Sequence, residues 1–159
     1  MKKKLGIFSI IFVIIDQVIK IIIKNNIKLN TDIKVIDNFF YLSHVHNDGA
    51  AFSMFSGNII FLIIITIIAL VAIYMIFIKD KKLSNLYIIL IGMLIGGILG
   101  NFIDRIIYNY VIDYLSFIIF GYYFPVFNFA DICIVISIIS IVILEFKEDI
   151  CEKSKLKKS

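Results

Sequence analysis

Four stretches of this chain, Leu5–Ile23, Ile59–Ile78, Leu83–Ile103 and Val126–Leu144, are apolar over the length of a bilayer crossing. A hydrocarbon core about 30 Å thick needs about 20 helical residues at about 1.5 Å each. Backbone groups inside it have no water to bond, so each stretch is expected to be a helix. With 61% of 159 residues hydrophobic and a single proline, Pro125, the sequence reads as an integral membrane protein. Met1 and the lysines at 2–4 resemble the start of a secretory signal. The run behind them is longer than a signal's apolar region and has no small-residue cleavage site, so it is read as a retained helix.

Apart from Asp16, Lys20 and Asp131, the charges lie in the gaps between these runs. Lysines 2–4, the hairpin Lys79-Asp80-Lys81-Lys82 and tail lysines 147, 153, 155, 157 and 158 fall on one side of a four-span arrangement, which is expected to be cytoplasmic. Both termini then lie inside, and Lys24–Asn58 and Arg105–Pro125 lie outside. The net charge of +4 suits anionic phospholipid headgroups. No aromatic and basic platform is present for nucleic acid, and no such partner is expected. Cys133 lies in an apolar run and Cys151 in the charged tail, a placement that suggests neither a disulfide nor a cysteine-rich metal site.

The first outer segment carries short strand patterns, Ile33-Lys34-Val35-Ile36 and Phe39-Phe40-Tyr41-Leu42, around the turn pair Asp37-Asn38. Asn47-Asp48-Gly49-Ala50-Ala51-Phe52-Ser53 follows. Gly49 permits positive φ and close backbone approach, and Phe52, Met54 and Phe55 are candidates for the membrane interface. The expected fold is an all-α membrane protein: four transmembrane helices with a small extracytoplasmic β-platform between the first and second. It forms one membrane-embedded domain over residues 1–159.

Four aspartates, Asp16, Asp104, Asp113 and Asp131, sit in or at the ends of the apolar runs. An Asp at the centre of a membrane helix costs roughly 2.5–3.5 kcal/mol on insertion scales, so each demands a purpose. Gly92, Gly96 and Gly100, with Gly97 beside them, are read as a close-packing seam. Asn101 and Asp104 lie three residues apart on one helical face, and Asn128 and Asp131 repeat that spacing at the fourth span. Asp113 lies in an otherwise apolar outer loop. If spans three and four pack together, Asp104, Asp113 and Asp131 converge near the outer surface. Carboxylates confined together cannot all ionise cheaply, so one proton is shared or held with a raised pKa, the arrangement of an aspartyl protease.

Several blocks carry a family resemblance: Asp16-Gln17 with Lys20, the Asn47–Ser53 segment, Gly100-Asn101-Phe102-Ile103-Asp104-Arg105, Val111-Ile112-Asp113, and Phe127-Asn128-Phe129-Ala130-Asp131. In this order and at these spacings the chain resembles the lipoprotein signal peptidases, or signal peptidase II, from its first helix through its fourth. The resemblance implies a bacterial inner-membrane aspartyl endopeptidase acting near the extracytoplasmic face; the chain has no convincing metal-ligand cluster, so neither metal nor cofactor is expected, and a monomer is expected. Its substrate would be a lipidated prolipoprotein, cut before the diacylglyceryl-modified cysteine. By the family's pattern Asp113 and Asp131 are the catalytic pair, and Asp104 is structural or substrate-orienting. Asn47, Asn101, Arg105 and Asn128 match polar positions of the substrate site, Asp16 and Lys20 match a first-helix pair, and Gly49 and Phe52 belong to the platform. This chain differs from many relatives in having Asp48, His46 and Ile132 at their positions.

Other readings of the same residues stay open in the sequence. Asp16 and Lys20, one turn apart, suit a buried ion pair as well as a substrate contact. Arg105 could snorkel to phosphate. His44 and His46 lack the spacing of a helical zinc site, and Ser43, Ser53 and Ser116 have no nearby base. Cys133, two residues from Asp131, is expected to face elsewhere. A proton-coupled transporter would also use intramembrane acids, but near the midplane and with broken helices or inverted repeats. A membrane scaffold would explain the glycines but not the acids.

Overall fold

The computed structural model describes residues 2–50, 54–79 and 83–156. Four helices carry the apolar runs: α1 (Lys2–Asn26), α2 (Ile59–Ile73, ending in a π-helical turn Tyr74–Ile78), α3 (Asn85–Tyr108) and α4 (Phe129–Leu156). Each is long and apolar enough to cross a membrane. Lysines 81, 82, 157 and 158, used above to orient the chain, lie outside the described residues.

The α3 helix is the central post, packed against α1 on one side and α4 on another, with α2 touching it more lightly. Its glycines explain the close approach. A methyl on Gly96 would stand 2.6 Å from Phe12 Cβ, and one on Gly97 2.6 Å from the Ala130 carbonyl oxygen. Gly96 therefore faces α1 and Gly97 faces α4, so the packing role read from the sequence holds on two faces at once. Leu5, Ser9, Asp16, Lys20 and Ile23 form the buried stripe of α1, while Ile7, Ile10, Ile14 and Val18 are exposed. An apolar outside with a polar inner stripe is the pattern for a helix whose solvent is lipid.

The span boundaries move at two places. The third helix runs on to Tyr108, so Arg105, assigned to a loop by sequence, is helical. Ser84 caps its start by accepting from the Tyr87 N–H, and Asn109 ends it in the left-handed region at φ 63°. The fourth helix starts at Phe129 rather than Val126. The intervening backbone is spent on a strand instead: Phe124 donates to the Phe117 carbonyl at 2.8 Å, and Leu115 pairs with Phe127.

That strand corrects the outer loop expected to hold Asp113. Residues Val111–Ile119 form β3, and with β1 (Asp32–Ile36), β2 (Phe40–Asn47) and β4 (Tyr122–Tyr123) they make a four-stranded antiparallel sheet in the order β1-β2-β3-β4. The platform begins between the first two helices as expected, with the turn at Asp37-Asn38, and is completed by strands from between the last two. Alternation was hidden in β3 because it is buried on both faces over Val111–Tyr114, which leaves a continuous apolar pattern.

One irregularity in the sheet positions the site. Leu42 pairs with Leu115 but Val45 pairs with Asp113, so Ser43 and His44 together oppose the single Tyr114. This β-bulge shifts the parity of β2 by one residue. Asn47 consequently pairs with Val111 and shares a sheet face with Asp113. Without the bulge Asn47 would point to the other face.

Candidate active site

Asp113 and Asp131 both line one cavity of about 510 Å³. Asp113 comes from β3 and Asp131 from the first turn of α4. Three asparagines hold them. Asn47 Nδ2 donates to Asp113 Oδ2 at 2.8 Å, and Asn128 Nδ2 donates to Asp113 Oδ1 at 2.7 Å. Asn101 Nδ2 donates to Asp131 Oδ1 at 2.7 Å. Asn128 also forms a reciprocal cap with Asp131: its backbone N–H donates to Asp131 Oδ2 at 3.1 Å, and its Oδ1 accepts from the Asp131 N–H at 3.0 Å. Asn128 thus touches both acids at once.

Behind this pair lies a second polar cluster. Lys20 Nζ is 2.8 Å from Asp16 Oδ2 and 2.9 Å from Asp104 Oδ2, and it donates to Asn101 Oδ1 at 2.9 Å. The three N–H donors of an ammonium are thereby used, all below the surface. Asp16 Oδ1 accepts from the Ala130 N–H at 3.1 Å, which ties α1 to the start of α4. Asp104 Oδ2 accepts from the Ile112 N–H at 3.2 Å, which ties α3 to β3 next to Asp113. The structure therefore divides the acids that the sequence grouped. Asp104 and Asp16 both pair with the buried Lys20, whereas Asp113 and Asp131 are held by asparagines.

Gln17, quoted above only as part of a motif, is the residue that sequence reasoning undervalued. Its Nε2 reaches Asp104 Oδ1 at 2.9 Å, the Gly100 carbonyl at 3.1 Å and Asp16 Oδ2 at 3.3 Å. A polar amide inside an apolar membrane run was the available signal. Tyr114 was also missed; its hydroxyl accepts from the Phe129 N–H at 3.0 Å and fixes the entry to α4.

Arg105 Nη2 donates to the Gly49 carbonyl at 2.9 Å, and the Gly49 N–H donates to Asn47 Oδ1 at 2.9 Å. The segment after β2 is thus closed onto α3 at the rim of the cavity. Gly49 contributes its backbone, as donor to Asn47 and acceptor from Arg105. Phe52 lies outside the described residues. Cys133 is buried against Gly97 and does not line the cavity, as its angular offset from Asp131 requires.

Burial, and then the neighbouring Asp131 charge, push the Asp113 carboxyl up to about 7, against which its two asparagine donors work only in part. His46, stacked on Tyr110 with ring centroids 3.6 Å apart, is pushed down by burial and then by His44 and Lys24. Burial raises the Tyr114 phenol. Among the described residues no group of three His, Cys, Asp or Glu is placed to hold a metal ion.

The fold and this site define a class: a multi-pass membrane protein with two carboxylates facing a largely apolar cavity beside a small sheet. Residues 8–147 match the sequence profile of signal peptidase II. The chain is 40% identical over 149 residues to the lipoprotein signal peptidases of Staphylococcus aureus strains JH9 and Newman, covering 94% of this chain and 91% of each relative. Two solved structures of bacterial membrane enzymes superpose on it with TM-scores of 0.82 and 0.78, both at 40% identity. They cover 90% and 89% of this chain and 87% and 91% of theirs. The chain belongs to the signal peptidase II family and is a bacterial membrane peptidase.

Proposed function

We infer that this protein is an aspartyl endopeptidase that removes the signal peptide from diacylglyceryl-modified prolipoproteins, cutting before the lipidated cysteine. The observation that carries the reading is the pairing of Asp113 and Asp131 through Asn128 at the wall of one cavity. Burial and the neighbouring Asp131 charge push the Asp113 carboxyl up to about 7, so Asp113 is read as the proton donor and Asp131 as the group that takes a proton from water. Water attacks the scissile carbonyl carbon as Asp113 donates to the carbonyl oxygen, giving a neutral tetrahedral diol. Collapse of the diol returns a proton to Asp113, and the leaving nitrogen takes the proton held by Asp131. Each acid then regains its starting state.

Asn47, Asn101 and Asn128 position the acids, and Asp16, Lys20 and Asp104 support them from behind. Arg105 holds the Asn47–Gly49 segment at the rim, where an extended substrate would be clamped. The whole chain, residues 1–159, acts as one membrane-embedded monomer with both termini cytoplasmic and the site at the outer face, in contact with phospholipid. Family likeness to the lipoprotein signal peptidases supports the substrate class.

The lipid fixes the substrate in depth as much as it adds affinity. A buried CH₂ is worth about 0.8 kcal/mol against water, but a lipidated precursor already resides in the membrane and gains only the difference between lipid and protein surroundings. The test is cleavage of two precursors of identical sequence, with and without the diacylglyceryl group, in the same proteoliposomes. The lipidated one should be cut far faster, and equal rates would overturn the lipid-positioning role.

A further inference from the structure

We propose that the β3–β4 hairpin is a membrane anchor whose aromatic tip lies in the bilayer interface and holds the cavity wall at fixed depth. It rests on the membrane placement of the chain and not on the cleavage chemistry, so the two fail separately. The tip is among the most exposed apolar surface of the described residues: Phe120 is 96% exposed and Tyr122 and Tyr123 are each 80% exposed, flanked by the exposed Ile119 and Phe124. A contiguous aromatic surface of this kind in a folded chain marks an interaction site.

Two further observations select lipid as the occupant. Every residue between Asp113 and Asp131 is uncharged, although the segment lies outside the helices as far as Asn128 and is rich in tyrosine and phenylalanine. A surface recognising a water-soluble partner carries a polar or charged rim, whereas aromatic rings without charges are the composition of the membrane–water boundary. The turn at the tip is also strained. Ile119 pairs with Tyr122, so Phe120 and Gly121 form a two-residue turn with φ of 51° and 80°. Positive φ at both positions is the pattern that favours Asn-Gly, and a bulky side chain there is a genuine outlier. Among the described residues nothing packs on the ring to compensate, since Phe120 is almost wholly exposed. Interfacial burial of the ring does.

The hairpin is tied at both ends to span termini, since β3 follows the end of α3 and the chain after β4 returns directly into α4. Phe124 and Val126, just beyond β4, line the cavity, and β3 itself carries Asp113. Anchoring the tip therefore fixes the height of Asp113 above the hydrocarbon core.

The chain contains no tryptophan, so Phe120→Trp supplies a single fluorescent reporter at an open position. In phosphatidylglycerol and phosphatidylcholine vesicles its emission should be blue-shifted relative to the urea-denatured protein. It should be quenched by lipids brominated high on the acyl chain, and protected from aqueous iodide. Tyr122→Trp repeats the measurement should the first variant fail to fold. Phe120→Asn, in a Tyr123→Trp background, should keep or raise thermal stability in detergent while the indole introduced by the second substitution loses its bromolipid quenching. Water-like emission with full iodide access would overturn the proposal. So would protection that arises only on adding lipidated precursor, which would make the tip a substrate surface, or only at high protein-to-lipid ratio, which would make it a contact between copies. Undiminished quenching in the Phe120→Asn variant would remove the anchoring role from the strained residue.

Discussion

Lys20 Nζ donates to Asn101 Oδ1 at 2.9 Å, and this one contact connects the buried ion pairs to the proposed catalytic acids. Asn101 Oδ1 also accepts from Asn128 Nδ2 at 3.1 Å. Two donors on that oxygen fix the amide orientation and leave Nδ2 to donate to Asp131. The lysine acts on the carboxylate through an asparagine, with its own charge balanced by Asp16 and Asp104.

Replacing Asp113 or Asp131 by Asn should abolish cleavage with little loss of inserted protein. General acid–base groups contribute roughly 10²–10⁴-fold, so residual turnover should fall below about one hundredth of the parent rate. Single-turnover assays on purified variants measure it, and near-parental turnover by either would refute the pair.

Activity should fall as pH rises through about 7, where Asp113 loses its proton. Stability should follow in sign. The folded pKa lies above the ordinary carboxylate value, so the folded state binds the extra proton and its contribution is full in acid and lost as pH climbs through about 7. A thermal-melt series should show the parent weakening across this range more than Asp113→Asn. A parent flat in both activity and melting temperature from acid to alkaline pH would contradict the assignment.

Lys20→Met should destabilise the protein by about 3–5 kcal/mol, the usual result of leaving buried carboxylates without their counter-charge. Adding Asp104→Asn should recover part of that loss, because one uncompensated acid is removed. Melting temperatures of the single and double variants give the coupling directly, and strict additivity would show that the pair does not interact.

Gly97→Leu should separate α3 from α4. Its Cβ would meet the Ala130 carbonyl oxygen at 2.6 Å and Ile134 Cγ1 at 3.0 Å, which are backbone and packed side chain rather than a free end. Overpacking of this kind costs typically about 1–3 kcal/mol, and the displaced Ala130 would carry Asp131 with it. Lowered thermal stability together with reduced turnover is the expected outcome, whereas Gly6→Leu, where no atom lies within 4 Å, should leave both unchanged.

The sequence by itself determined the membrane class and the four helices, because hydrocarbon thickness fixes a helical length that composition alone reveals. It also marked Asp16, Asn101, Asp104, Asp113, Asn128 and Asp131, since a polar group in an apolar run is costly unless it has a partner. Which partner each acid finds was a tertiary matter. Helical spacing places Asn101 and Asp104 on one face and both meet Lys20, yet Asn101 also donates to Asp131 while Asp104 accepts from the Ile112 N–H, a division set by how α1, β3 and α4 meet α3. The third and fourth strands were equally hidden, because β3 is buried on both faces where it carries Asp113 and so lacks the alternation of a half-buried strand. The side of the sheet on which Asn47 projects depends on a one-residue bulge opposite Tyr114. Registers of that kind follow from which strand lies alongside, and only the folded chain brings β2 and β3 together.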